Sequence, residues 1–509
     1  MTLQSRPTRS PFRLETLLSG LPILSVTGKG ESEVTGLVCD SRVVENGDLF
    51  FALRGSKDDG SRHALQAVEC GAVAVVTEEE LPGVTVPIVR VTEAREVMAG
   101  IASTFYGNPS ASLAVAGVTG TNGKTTTAWI IRHLCDAVGR ACGLVGTIEY
   151  VLPGVVEPAL RTTPESIDLQ RMLGAMRDGG FKAASLEVSS HALIQHRAGG
   201  VEFDAAIFTN LTQDHLDYHG TMDEYFEAKA LFFTRLPLQA GKKGRAIINT
   251  DDRYGRRLLD RIPSSVPVIT YGQGSNCAFR ASNIRHAATG TTFQLDAKGR
   301  SYLVRTPLIG LFNVYNTLAA LAAVSSMGVE LRRAIAAAAS VPQVPGRLER
   351  VPGKKNFQAF VDYAHTPDAL ENVLRSLRQL GPARIITVFG CGGDRDHSKR
   401  PLMAAAAEAL SDRVIVTSDN PRSEDPMAIL REVSKGFRGS GHETYVDRES
   451  AIRRAVELAN PGDFILVAGK GHENYQETVT GRHPFDDVKV TARCMAGKDY
   501  RETTGEMTR

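Results

Sequence analysis

Short apolar runs alternate with longer amphipathic stretches along this chain. Asp48-Leu-Phe-Phe-Ala-Leu53 and Ala72-Val-Ala-Val-Val76 predict strands, and His63–Gly71 between them predicts a helix stopped by its glycine. Leu14-Glu-Thr-Leu-Leu18 predicts an amphipathic first helix. From 110 to 344 the alternation of strand and helix suits a parallel or mixed sheet. Phe181–Val188 predicts a strand, Phe208 closes another, and Leu308–Ala320 predicts a loop entering an alanine-rich helix. Met222–Phe233 predicts a helix with Phe226, Ala230 and Phe233 on one apolar face. After 345 three β-rich runs stand out, Arg384–Phe389, Arg413–Thr417 and Asp463–Ala468, and each ends in a polar loop. In a parallel sheet those loops gather at the carboxyl edge, where ligands bind. Tyr106-Gly-Asn-Pro109 punctuates the first boundary. The expectation is an α/β chain of three units: 1–109, 110–344 and 345–509.

Leu113–Thr127 (LAVAGVTGTNGKTTT) is where this pattern meets chemistry. It reads as strand, glycine turn, lysine, helix. Backbone N–H groups in such a turn approach phosphate oxygens, and the helix N-terminus adds its positive end. Lys124 supplies a mobile charge, and Thr125 or Thr126 a hydroxyl for Mg²⁺. The spacing departs from the commonest form, because Val118 stands where the first glycine is expected; Gly117 and Gly120 are taken as the turn glycines.

Composition narrows the classes. The 509 residues carry 59 Lys+Arg against 57 Asp+Glu, so no basic patch points to nucleic acid. The seven cysteines are scattered without a C-x-x-C pair, which disfavours a zinc site or disulfide framework. No apolar run is long enough for a membrane span, and Glu15 interrupts any leader-like stretch. The expectation is a soluble, cytoplasmic, monomeric protein with no membrane or nucleic-acid partner.

Polar residues past strand ends mark a candidate site. Glu187 stands where a nucleotide enzyme places a Mg²⁺ ligand, and His215 lies among acids in Asp214-His-Leu-Asp217. Lys229 sits beside the apolar face of its helix, where an ammonium snorkels, pairs or is chemically changed; residue type alone favours snorkelling. In Gly390-Cys-Gly-Gly-Asp-Arg395 an arginine occupies the third position of a dinucleotide fingerprint, so a charged substrate is favoured over a dinucleotide.

Gly117–Thr126, Glu187-Val-Ser-Ser-His191, Thr209–Asp217 and Pro345-Gly-Arg-Leu-Glu349 together resemble the Mur ligase family, ATP-dependent amide-forming enzymes of peptidoglycan assembly, from about Val38 to Val490. The resemblance implies a central P-loop ATPase domain flanked by Rossmann-like α/β domains. Asp419-Asn-Pro-Arg422 resembles the signature of members that add meso-diaminopimelate rather than lysine.

By matched position the resemblance implies that Gly120, Thr121, Asn122, Gly123, Lys124, Thr125, Thr126, Thr127, Asn313 and Arg347 hold ATP. UDP-N-acetylmuramoyl-L-alanyl-D-glutamate would meet Cys39, Ser41, Ser56, Lys57 and Asp58 at its nucleotide, and Thr162, Thr163, Ser189, Gln195 and Arg197 at its dipeptide. Arg161 replaces a neutral amide. Diaminopimelate would meet Arg395, Asp419, Asn420, Pro421, Arg422, Gly469 and Glu473. Thr125, Glu187, His215 and a CO₂-derived carbamate on Lys229 would hold two Mg²⁺ ions. Folylpolyglutamate synthases share the nucleotide loop but lack the Asp-Asn-Pro-Arg segment and a first domain with Asp40-Ser-Arg42. A nucleotide-binding regulator without turnover would have lost Lys124, Glu187, His215 or Lys229, and all four are present.

Overall fold

The computed structural model describes residues 10–28, 31–55, 58–353 and 355–497. Their strands form three large sheets and two small ones. The first large sheet has five strands in the order Ile23–Thr27, Ile88–Val91, Ala74–Thr77, Asp48–Phe51 and Gly36–Val38, parallel except at the Ile23–Thr27 edge. The helix expected over His63–Gly71 is shorter, a 3₁₀ turn Gly60–His63 leading into Ala64–Glu69.

The central sheet has eleven strands. Its parallel heart runs Cys142–Val145, Ala183–Glu187, Ala114–Thr119, Ala205–Phe208, Arg245–Asn249 and Val268–Gly272. A hairpin, Glu149–Leu152 with Val155–Pro158, extends one edge, and the meander Phe279–Ala287, Gly290–Ala297, Arg300–Thr306 extends the other. The heart strands are mostly apolar because helices cover both faces, with polar residues such as Glu187 and Asn249 at their carboxyl ends. On one face Ile130, Ile131 and Leu134 of helix Lys124–Ala137 pack with Leu318 and Leu321 of helix Leu311–Ser326. On the other, Leu169 and Leu173 of Ser166–Asp178 share a core with Phe226 and Phe233 of Met222–Thr234. Each such side chain contributes roughly 1.5–3 kcal/mol by leaving water. Thr221 and Glu224 close a capping box on the last helix, which fixes where it starts.

The third sheet has six strands: Glu349–Val351, Gln358–Asp362, Phe464–Ala468, Ile385–Phe389, Arg413–Thr417 and His442–Tyr445. All but Glu349–Val351 are parallel. The three runs singled out from sequence are neighbours here, so their loops meet at one edge. Ser103 Oγ donates to Gly200 O at 2.9 Å and Arg95 pairs with Glu165 at 2.9 Å, tying the first sheet's layer to the second. Asn122 Nδ2 reaches Asp368 Oδ2 at 3.2 Å, tying the second to the third.

Candidate active site

Strand register builds the nucleotide loop. Glu187 pairs with Val118 and Phe208 with Thr119, so the segments leaving both neighbouring strands flank residues 120–123. Gly120 and Gly123 have φ of 145° and 87°. A Cβ would stand 1.9 Å from Thr209 Oγ1 at the first and 2.4 Å from Asn316 Oδ1 at the second, so only glycine fits. Gly117 is not a turn glycine. It lies inside the strand Ala114–Thr119, where a Cβ would strike the rings of Phe232 and Phe203.

Lys124 Nζ donates back to the carbonyls of Gly120 and Thr121 at 3.0 and 2.9 Å, and burial pushes its pKa down. Thr125 Oγ1 donates to Glu187 Oε2 at 2.9 Å and accepts from Arg347 Nη2 at 3.1 Å. Thr121, Asn122, Gly123, Lys124, Thr125, Thr126, Glu187, Ser189, His215, Lys229 and Arg347 line one cavity of about 600 Å³. Three expected nucleotide contacts are not on its surface: Gly120, whose carbonyl is taken by Lys124 and Lys229, and two buried side chains. Thr127 is buried and bonds Asn316 Oδ1 at 3.3 Å; Asn313 is buried, donating to Ile309 O at 2.8 Å and accepting from Asn316 Nδ2 at 3.0 Å. Asn316, three residues on, faces the cavity with Phe312 and Tyr315.

Lys229 does not snorkel. Its side chain is 1 % exposed, its ammonium donates to Gly120 O at 2.9 Å, and it lies 4.6 Å from the centre of the Tyr225 ring. Burial, then the nearby Lys124 charge, holds its pKa well below the usual lysine range. His215 is set at φ 54°, and its imidazole pKa is pushed down to about 4 by burial. An imidazole and a lysine whose charged forms burial disfavours thus line the same cavity as Glu187. Among the described residues no group of three or more His, Cys, Asp or Glu side chains could hold a metal ion by itself. The Thr125 hydroxyl against the Glu187 carboxylate nevertheless suits Mg²⁺, which takes one or two protein oxygens and completes its shell with phosphate and water.

The other expected residues fall into two groups. Thr163 Oγ1 donates to Glu187 O at 2.7 Å and accepts from Ser189 N at 3.1 Å, and Thr162 bonds Thr147 at 3.1 Å. Gln195 accepts from Arg197 at 2.6 Å. Arg197, Arg161 and Arg95 all converge on Glu165, at 3.2, 2.6 and 2.9 Å. Cys39 is close by, its thiol pushed up to about 12 by burial and by Glu165 and Asp168. Farther out, Ser41 Oγ donates to Gln66 Oε1 at 3.4 Å, and Asp58 pairs with His63 at 2.9 Å. Ser56 and Lys57 lie outside the described residues.

Arg395, Asp419, Asn420, Arg422, Gly469 and Glu473 line a second cavity of about 560 Å³. Arg422 Nη1 donates to Gly393 O at 2.6 Å, and its Nε lies 3.3 Å from Glu477 Oε2. Pro421 supports the loop from behind: a Cβ at Gly393 would stand 2.0 Å from its carbonyl oxygen. Asp214, His215, Tyr363, His365 and Asp368 line both cavities, so the two share a wall.

Sequence reasoning missed several supports. Glu165 collects the arginines described above. The buried Arg400 joins Gly392 O at 3.1 Å to Glu424 at 2.9 Å and Glu432 at 2.7 Å, bracing the loops that carry Arg395 and Arg422. The buried Arg448, paired with Asp487 at 2.7 Å, donates to Ser418 O at 3.2 Å and Ala468 O at 3.0 Å, the carbonyls just before Asp419 and Gly469. Lys470 was inside a loop already marked, three residues before Glu473. That spacing was the available signal.

The comparisons agree with this layout. The Mur ligase middle domain matches residues 118–324, the Mur ligase glutamate ligase domain 346–471, and the Mur ligase family catalytic domain 33–106. The chain is 47 % identical over 483 residues to the UDP-N-acetylmuramoyl-L-alanyl-D-glutamate–2,6-diaminopimelate ligase of Geobacillus kaustophilus, covering 94 % of this chain and 98 % of that protein. It is 44 % identical to the ligase of the same description in Geobacter sulfurreducens, covering 96 % and 100 %. A solved structure with that description superposes with a TM-score of 0.70 at 34 % identity, covering 96 % of this chain and 99 % of the other. With three family models matched between residues 33 and 471 and relatives 44 and 47 % identical over almost the whole chain, the chain belongs to the Mur ligase family.

Proposed function

We propose that the protein joins meso-diaminopimelate to the D-glutamyl γ-carboxylate of UDP-N-acetylmuramoyl-L-alanyl-D-glutamate with cleavage of ATP to ADP and phosphate, a cytoplasmic step in peptidoglycan precursor synthesis. One observation carries this reading. The cavity of the phosphate loop shares a wall with a second one whose lining includes Arg395, Arg422, Asp419, Asn420 and Glu473.

A carboxylate does not react with an amine at neutral pH, because hydroxide leaves poorly. Transfer of the γ-phosphoryl group makes it an acyl phosphate, the amine attacks, and phosphate departs. The first step brings anion against anion. Lys124 and Arg347 screen that repulsion, and Lys124 is free to exchange its two carbonyl partners for phosphate oxygens. Thr125, Glu187 and His215 would hold Mg²⁺, which would supply further charge neutralisation on the phosphates. Burial, which disfavours the Lys229 ammonium, suits capture of CO₂ by its amine, and a carbamate there would be able to hold a second Mg²⁺.

In the second cavity Arg422 and Arg395 suit the distal carboxylate of the diamino diacid, since guanidinium binds carboxylate in a bidentate way. Glu473 suits its ammonium. Lysine has no distal carboxylate and forgoes the bonds that Arg422 and Arg395 would make to it.

Release of ADP in an assay with purified protein tests the reading. It is expected only when ATP, Mg²⁺, the UDP-muramoyl dipeptide and meso-diaminopimelate are all present. Nucleotide binding without turnover, or release driven by glutamate and a folate, would replace the proposal with the regulator or the folylpolyglutamate synthase.

A further inference from the structure

Lys470 is 0 % exposed and does not line the cavity, yet its neighbours do. Its Nζ donates to Asn420 Oδ1 at 2.9 Å and to Glu473 Oε2 at 3.1 Å. Asn420 Nδ2 donates to that same Glu473 oxygen at 2.8 Å. Two donors therefore converge on Oε2, and among the described residues none donates to Oε1. The Asn420 amide is itself fixed, since its oxygen also accepts from Glu477 N at 2.9 Å. A carboxylate held at one oxygen by two donors is restrained, and Glu473 lines the cavity with its second oxygen not taken by a described donor.

We propose that Lys470 is a positioning residue for the incoming amino acid: together with Asn420 it clamps one oxygen of Glu473 and presents the other to the distal ammonium of the diamino diacid. The inference rests on reading this cavity as the amino-acid site. It assigns Lys470 a part in specificity that a loop staple would not have. A lysine enclosed with a carboxylate and an amide keeps the local charge balanced before the substrate arrives, so the substrate's own ammonium meets an oriented acceptor.

A double-mutant cycle in steady-state kinetics tests this. Lys470→Met is expected to raise the KM for meso-diaminopimelate about tenfold or more, with kcat changed less than about threefold and the KM for ATP and for the muramoyl dipeptide unchanged. In a Glu473→Gln background the same substitution should add less than about twofold, because its effect passes through Glu473. Multiplying effects, an unchanged KM, or equal damage to every substrate's KM would overturn the proposal and leave Lys470 a structural staple. If Lys470→Met does not fold, Lys470→Arg carries the same test, since a guanidinium cannot occupy the ammonium's place between the two partners. Absence of diaminopimelate-dependent ADP release from the unmutated protein would instead overturn the reading of the cavity, and this inference with it.

Discussion

Lys229 and Lys470 are both enclosed, one beside the nucleotide cavity and one behind the amino-acid cavity, and their partners are opposites. Lys229 has a backbone carbonyl and the face of a tyrosine. Lys470 has a carboxylate and an amide oxygen. An ammonium that loses water without gaining an anion is disfavoured, so the first is driven toward the neutral amine. The second keeps a balanced partner. The same contrast extends to the neighbours. Lys124 leans on carbonyls, whereas Arg422, Arg400 and Arg448 all sit against carboxylates. The nucleotide side leaves positive charge under-matched for phosphate; the amino-acid side uses matched charge to fix geometry.

That contrast can be broken by mutation. Lys124→Met removes the charge proposed to meet the γ-phosphate and is expected to lower kcat/KM on the order of 10³-fold, while binding of diaminopimelate changes little. A loss below tenfold in a steady-state assay would mean that the cation is not needed there. Next comes the chemistry of Lys229. In ¹³C-bicarbonate the native protein should show one protein-bound carbamate signal by NMR, absent in Lys229→Met and retained in Lys470→Met. Lys229→Met should also lose roughly 10²-fold in kcat. A signal that survives Lys229→Met would place the reactive amine elsewhere. Arg422→Lys keeps the charge but loses the fork, and should raise the KM for diaminopimelate by roughly 10-fold or more with the KM for ATP unmoved. Equal changes in both constants would sink the division of labour.

The smallest effect expected is on stability. Burial holds His472 at about 3 in the folded chain, while the unfolded chain binds its proton near 6.5. The unfolded state then holds more protons between those values, so stability is full above pH 6.5 and falls as pH drops toward 3. His472→Gln should flatten that part of a curve of unfolding midpoint against pH, and an unchanged slope would assign the acid loss to other groups.

Much of the layout was legible beforehand because local signals and tertiary packing agreed. The strand Arg413–Thr417 and the helix beginning at Met222 are β-branched and amphipathic runs with clear stops. What was misread depended on contacts between distant segments. Gly117 looks like a turn residue until Phe203 and Phe232 are seen to pack on it. Asn313 and Asn316 lie three residues apart on one helix, and only that helix's packing decides that Asn316 meets the cavity. Lys229 reads as a snorkelling lysine until the nucleotide loop covers it. Lys470, Arg400 and Arg448 carry no local mark of burial, because charged loop and helix residues are ordinarily solvated.

The account is tested most directly by kcat/KM of the unmutated protein for meso-diaminopimelate against L-lysine, at saturating ATP and UDP-muramoyl dipeptide. A preference of roughly 10³-fold for the diamino diacid is expected, since lysine lacks the distal carboxylate that Arg422 and Arg395 are proposed to bind. Comparable values for the two amino acids would contradict the assignment of the second cavity.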